Sequence, residues 1–478
     1  MKHIHIAFNE SFYIKAFRKH AAIIALSVLF AAFFVAIYYP GIMYSDSYVR
    51  IDASTGIRNA VKMLLSGQRE LIDMEIWLTV VPSFFITFCH SLTGSIATYT
   101  MLQTSAFFLV SFLLIHKLSH YCRKLQYLLF AINPLFFGVA TYYEAGIGCL
   151  IGIVMLYLLY STEDSSKIWI DQIIEFGLVT LASFITFGYR ANAITILPVL
   201  FLYIWLQKRS LAQRLRAYLG LFAGLFFVLF MPKILNINTM SSSVAGLVWE
   251  MVTCIEHMDE DTRTAYLTYL DDIGGEGATV SALAINEEHS ICKLLESSAF
   301  NIHSLSQEGM VGQVLTKYIS FAFSEPQQFI HNKWYFISQS MGIREPLRCI
   351  EYEYNLNDRM YEWGVNDSTQ RLTFYRLYYK INESFGFLTL QPWLVFIATV
   401  LFLAIDIIRY GTKHRLHLFL VLTAICYYGA FLLNTQSFEL RYFYPSLYLM
   451  LLTDAALFFN TVQEIVLHFS QVKEVQPG

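Results

Sequence analysis

Apolar residues gather along this chain in runs of about 20, without the strict alternation of a half-buried strand, and each run is long enough for a helix to cross roughly 30 Å of hydrocarbon. The runs predict spans near 21–40, 97–116, 126–143, 147–161, 171–188, 192–207, 217–236, 390–409, 416–434 and 441–461, about ten in all. A closed β-barrel, the other way to satisfy backbone groups in lipid, needs short alternating segments that are missing here. One further apolar stretch, 77–90, is short and contains Pro82. It reads as an interfacial or re-entrant helix rather than a crossing.

Basic residues orient the spans. They cluster at 15–19, 117–124, 208–216 and 409–415. Loops rich in Lys and Arg stay cytoplasmic, so all four clusters go inside and both termini with them. Counting 77–90 as a crossing would place Lys117, Arg123 and Lys124 outside. Lys15, Arg18, Lys19 and His20 precede the first run and no small-residue cleavage site follows, which reads as a retained span.

Three parts follow: an N-terminal transmembrane module, 1–236, with a first outer loop at 41–75; an extracytoplasmic domain, 237–388; and C-terminal spans with a cytoplasmic tail, 389–478. The expected fold is an all-α polytopic membrane protein of about ten transmembrane helices carrying a largely helical outer domain, in the cell membrane. Within the outer domain Asp259-Glu260-Asp261 reads as an acidic helix start, Gly274-Gly275 as a break, and 287–297 as a second helix. The segment 326–341, with Phe329, Trp334, Tyr335 and Phe336, has the character of a helix lying against a membrane surface.

Composition agrees with a bilayer environment: 56% of the 478 residues are hydrophobic and 14% are charged, against about 25% charged in soluble domains. A net charge of −3 implies no nucleic-acid partner. The seven cysteines lack metal-ligand spacing. Among Cys254, Cys292 and Cys349 a disulfide and three separate thiols are both open. No internal repeat is evident, which weakens a transporter reading built on matched halves.

Ionisable groups near membrane depth are costly, and four places hold them at outer span ends. After Tyr39-Pro40-Gly41, the sequence Ser45-Asp46-Ser47 delivers a carboxylate that either serves as a general base or caps the following turn. Glu144 lies in a short outer turn, as a solvated residue or as a second carboxylate able to share a divalent cation with Asp46 or to orient an acceptor. Arg190, with Asn192 beside it, suits phosphate oxygens or snorkels to the headgroups. Glu439, Arg441 and Tyr442 open the last span, as an internal ion pair or as part of a binding site. Two carboxylates and two arginines on one face describe a site for an anionic, membrane-embedded substrate.

At these residues the chain resembles the GT-C superfamily of polytopic glycosyltransferases, bacterial members related to protein O-mannosyltransferases and aminoarabinose transferases. Tyr39-Pro40-Gly41 with Ser45-Asp46-Ser47, Arg190-Ala191-Asn192 and Arg441-Tyr442-Phe443-Tyr444-Pro445 are similar to its elements. The chain departs from relatives in lacking a Lys-Asp pair after Asn133-Pro134, with Glu144 as the carboxylate kept in kind, and in having Arg50 where glutamine is common. The resemblance implies transfer of a sugar from a polyprenyl-phosphate carrier to a glycan, lipid or protein acceptor of the cell envelope, with inversion. Asp46 would be the catalytic base, Arg190 and Arg441 would hold the leaving phosphate, and Glu144 would orient the acceptor or help bind a cation. An O-antigen polymerase or ligase type of enzyme, and a transporter or flippase of lipid-linked or anionic solutes, are the competing readings.

Overall fold

The computed structural model describes residues 12–43, 45–68, 70–73, 79–119, 121–131, 139–161, 169–238, 243–287, 291, 293–294, 310–347, 371–374, 376–377, 380, 384, 391–411 and 415–475. The first half contains α1 (Phe12–Lys19), α2 (Ala21–Tyr38), α3 (Ser45–Leu65), the strand β1 (Ile72–Asp73), α4 (Val80–Thr93), α5 (Ala97–Leu118), α6 (Arg123–Ala131), α7 (Ala145–Ser161), α8 (Trp169–Tyr189), α9 (Leu197–Leu206) and α10 (Leu211–Ile234). The stretch between α10 and the last three long helices, expected on the outer side and for that reason called the outer domain, follows with β2 (Ile237–Asn238), α11 (Ser243–Glu256), α12 (Glu260–Tyr266), α13 (Asp271–Gly274), α14 (Ala278–Ile285), α15 (Met310–Ser324) and α16 (Pro326–Ser340). The chain closes with α17 (Pro392–Tyr410), α18 (Arg415–Leu433) and α19 (Tyr444–Val475).

This is a multi-pass helical membrane protein. Seven described helices, α2, α5, α8, α10, α17, α18 and the first part of α19, are long and apolar enough to cross a bilayer. The shortfall against ten has local causes. The run 126–143 is not α-helical to its end: α6 is described to Ala131, 132–138 lie outside the described residues, and a 3-10 turn occupies Val139–Thr141. The run 192–207 begins as a 3-10 turn, Ala191–Ile196, leaving ten residues of α-helix in α9. α7 has 17 residues, but it is buried almost all round. It sits so close to α8 that a Cβ at Gly152 would lie 2.7 Å from the Thr186 amide nitrogen, the close approach that small residues permit between membrane helices.

The expected short helix over 77–90 is α4, with Val81, Ile86 and Cys89 buried and Phe88 and Leu92 exposed. The first outer loop is itself largely helical, as α3, and β1 pairs with β2 in a two-residue parallel ladder, Ile72 against Ile237. That ladder ties the first loop to the start of the outer domain.

The two ends of the bundle differ in charge. At one end the basic clusters meet. The His20 and His116 rings are 5.4 Å apart, Lys117 donates to the Ser161 carbonyl at 3.0 Å, Arg209 reaches Glu175 at 2.6 Å and the Leu159 carbonyl at 2.7 Å, and Arg415 caps Leu206 at 2.9 Å. The outer domain sits at the other end.

In the outer domain Asp259 caps α12 by accepting from the Thr262 amide at 3.0 Å, and Gly275, at φ +94°, follows the end of α13. Most of 287–297 lies outside the described residues, whereas a helix is present at α14. The aromatic residues of α16 divide between two faces. Tyr335 and Phe336 are buried, with Phe336 4.8 Å from Trp249 and 5.5 Å from Phe438, whereas Trp334 points outward. Two of the aromatics therefore pack into the core against α11, while Ile330 and Trp334, four residues apart, stay exposed. Cys254 is buried and is a free thiol among the described residues; Cys292 and Cys349 lie outside them.

Candidate functional site

Backbone pairing brings the first two polar places together. Beyond Pro40 the chain runs beside 139–143: the Ile42 amide donates to Thr141 at 3.1 Å and the Tyr143 amide to Ile42 at 3.2 Å. Gly41 sits at φ +149°, and a Cβ there would strike the Tyr143 ring and approach the Thr141 carbonyl to 2.7 Å, so the tight crossing needs glycine. Tyr143 and Gln103 hold the partner strand, Tyr143 Oη donating to the Pro40 carbonyl at 3.0 Å and Gln103 Nε2 to Ala140 at 2.9 Å and Tyr142 at 2.8 Å. Asp46, in the first turn of α3, and Glu144, just ahead of α7, are thereby set side by side.

The other two places close on them. Arg190, between α8 and its 3-10 extension, is paired with Glu144 Oε1. Arg441, in the 3-10 turn Leu440–Tyr442, places Nη1 2.7 Å from Asp46 Oδ2 and 3.8 Å from Glu144 Oε2, and its Nε 2.6 Å from Glu439 Oε2. The Tyr442 ring lies between the two arginines, with the Arg190 and Arg441 guanidinium carbons 4.9 Å and 5.0 Å from its centroid. Asp46, Glu144, Arg190, Glu439, Arg441 and Tyr442 form one network. Asn192 does not join these ion pairs; it is half-buried and its carbonyl accepts from Thr195 at 2.9 Å.

A seventh member was not among the expected site residues. Arg50 is buried, donates to the Tyr143 carbonyl at 2.7 Å, and lies 3.6 Å from Glu144 Oε2. Its position four residues after Asp46 puts both on one face of α3, so that spacing was the available signal. Arg371 was also unforeseen. From the outer domain it donates to the Tyr39 carbonyl at 2.8 Å and the Gly41 carbonyl at 3.2 Å, holding the segment that leads to Asp46. No local pattern marks it.

Charges within the network balance, three arginines against three carboxylates. Glu144 is fully buried; burial alone would push its carboxyl up, but Arg190, Arg50 and Arg441 together pull it below the ordinary carboxylate range. The more accessible members are Asp46 and Arg190, with side chains 18% and 15% exposed. An incoming molecule meets those two first. Between Asp46 and Glu144, where a shared cation would sit, the structure places Arg441 Nη1, so a metal ion held by that pair would compete with the guanidinium.

No protein-family model matches the chain, and no curated protein or solved structure matches it either.

A second polar cluster lies where the outer domain meets the bundle. Glu250, buried in α11, accepts from Lys333 at 2.7 and 2.6 Å, from Tyr318 at 2.6 Å and from the Thr435 amide at 3.2 Å. Lys333 also caps Leu433 at 2.8 Å, at the end of α18. Thr435 begins the short segment that delivers Glu439 and Arg441, so this cluster braces the same network from outside.

Proposed function

We propose that the chain is a membrane glycosyltransferase that moves a sugar from a polyprenyl-phosphate carrier to a cell-envelope acceptor, with Asp46 as general base. The observation that carries this reading is the convergence of four sequence-distant polar places into one ion network at the end of the bundle that bears the outer domain, with a carboxylate and an arginine as its accessible edge. A base and an anion anchor have to meet one substrate. Here only Glu144 and Arg441 separate Asp46 from Arg190.

The ion pairing suggests how the two roles are linked. In the resting site Asp46 compensates Arg441. During transfer the acceptor hydroxyl gives its proton to Asp46, the acceptor oxygen bonds to the anomeric carbon, and the bond from that carbon to the phosphate oxygen breaks, leaving its electron pair on the phosphate. Protonated Asp46 no longer neutralises Arg441, so positive charge becomes available as negative charge develops on the leaving group. Electrostatic stabilisation matters most at that moment. Arg190, stacked on Tyr442 and partly open, would hold the phosphate beforehand, and the outer domain would select the acceptor.

Asp46→Asn tests the reading directly. Transfer from a polyprenyl-phosphate sugar in membranes should fall by about 10²–10⁴-fold, the usual contribution of a positioned base, with membrane levels unchanged. Retained transfer would sink the proposal. So would purified protein that carries the lipid-linked sugar across liposomes without cleaving its phosphate bond.

A further inference from the structure

Away from the outer site, the C-terminal helices bury a carboxyl that nothing above uses. α17 and α19 run alongside each other in the same direction: Thr399 meets Asp454, the Phe402 and Phe458 rings are 6.4 Å apart, and Tyr410 meets Glu464. Asp454 is 8% exposed and Thr399 1%. Among the described residues Asp454 has no ion pair. Its Oδ2 lies 2.8 Å from Thr399 Oγ1, and its Oδ1 is buried without a hydrogen-bond partner.

Counting protons decides the state of this group. Thr399 Oγ1 is also 2.8 Å from the Val395 carbonyl oxygen one turn back. A threonine hydroxyl carries a single proton, and a carbonyl oxygen has none to give. The contact with Val395, the common back-bond of a helical threonine, therefore uses the hydroxyl proton, and the contact with Asp454 is a full hydrogen bond when Asp454 supplies the other one. An ionised Asp454 would instead be a buried charge with no cation and at most a shared donor, an arrangement strongly disfavoured in an apolar seam.

We propose that Asp454 is a proton-binding site: a carboxylic acid that donates its proton to Thr399 Oγ1 and exchanges it toward the basic end of the bundle. The direction follows from what flanks it. Toward the outer domain 393–398 of α17 is Trp-Leu-Val-Phe-Ile-Ala, and 448–453 of α19 adds to its leucines and methionine only Thr453, bonded back to Leu449 at 2.7 Å, and Tyr448, bonded to Ser111, neither of which carries a carboxyl. Toward the basic end the same two helices carry Asp406, then Asn460, whose Nδ2 donates to Leu118 at 3.1 Å, and then the Tyr410–Glu464 pair. The helices packed on α19 bring Asp406, Arg409 and Tyr410 from α17, Arg415 and His417 from α18, His116 and Lys117 from α5, and Tyr157 and Tyr160 from α7. None of these bonds to Asp454 among the described residues.

The inference does not depend on transfer activity. Infrared spectra of the full chain in lipid at neutral pH should contain a protonated-carboxyl C=O band that Asp454→Asn removes. Thr399→Val should keep the band and move it to higher wavenumber, since the donated bond is gone; this variant decides the matter should Asp454→Asn fail to fold. In D2O the band should shift as the proton exchanges, and Glu464→Gln should slow that shift. A band that persists in Asp454→Asn or stands still in Thr399→Val would overturn the site, and exchange unaffected by Glu464→Gln would overturn the route.

Discussion

The outer ion network and the α17–α19 seam handle the same difficulty in opposite ways. Both bury carboxyls among helices. At the outer network Glu144 stays ionised because three guanidinium groups surround it. In the seam Asp454 has no cation partner among the described residues, and the proton itself removes the charge. Burying a charge is costly unless it is paired, and where pairing is absent the group neutralises. The comparison teaches that, between these two carboxyls of similar burial, the residues brought beside each from far along the chain make the difference.

Removing a cation from the network should break the comparison most severely. Arg441→Met leaves Asp46 and Glu439 without their shared partner, and loss of one member of a buried pair costs about 3–5 kcal/mol; thermal unfolding in detergent would measure it. Removing both partners should be milder. In a double-mutant cycle of Glu144→Gln with Arg190→Met, the combined loss should fall short of the sum of the single losses by about 1–3 kcal/mol. An additive result would mean that the pair is not coupled.

Glu250 sharpens the contrast through pH. Burial raises its carboxyl above the ordinary 4.5 in spite of Lys333, Tyr318 and Thr435, whereas Glu144 is held below 4.5. The stability tied to a raised carboxyl is complete below its unfolded value and is lost as pH rises through the folded one. That tied to a lowered carboxyl is present above the unfolded value and is lost as pH falls through the folded one. Melting temperature followed against pH should accordingly lose its decline above 4.5 in Glu250→Gln and lose its acid-side decline in Glu144→Gln. The smallest effect belongs to the seam. Asp454→Asn exchanges one neutral polar group for another of the same shape, so its cost should stay within about 1 kcal/mol. A loss as large as that of Arg441→Met would mean that a charge had been removed.

Much of this is legible in the order of residues along the chain. The four outer polar places stand out because each interrupts or ends an apolar run, and all of their named residues except Asn192 enter one network. Arg50 can be read from its spacing to Asp46 on α3. Arg371 cannot, because its partners Tyr39 and Gly41 are more than 300 positions away and nothing near it marks a role. The run at 126–143 shows the opposite failure, since hydropathy averages over a stretch that finishes in the 3-10 turn Val139–Thr141.

By itself the sequence determined that this protein lives in a membrane, roughly where its long helices run, and that its polar groups collect at their ends. Those properties are local: transfer of a helix into lipid is a sum over contiguous residues, and each helix satisfies its own backbone. Tertiary structure alone decided that Arg441 meets Asp46 across 395 positions, that Arg50 completes the balance around Glu144, and that the Thr399 hydroxyl faces both Val395 and Asp454. Electrostatic and hydrogen-bond energies depend on distances between particular atoms, and for residues this far apart only the fold sets those distances.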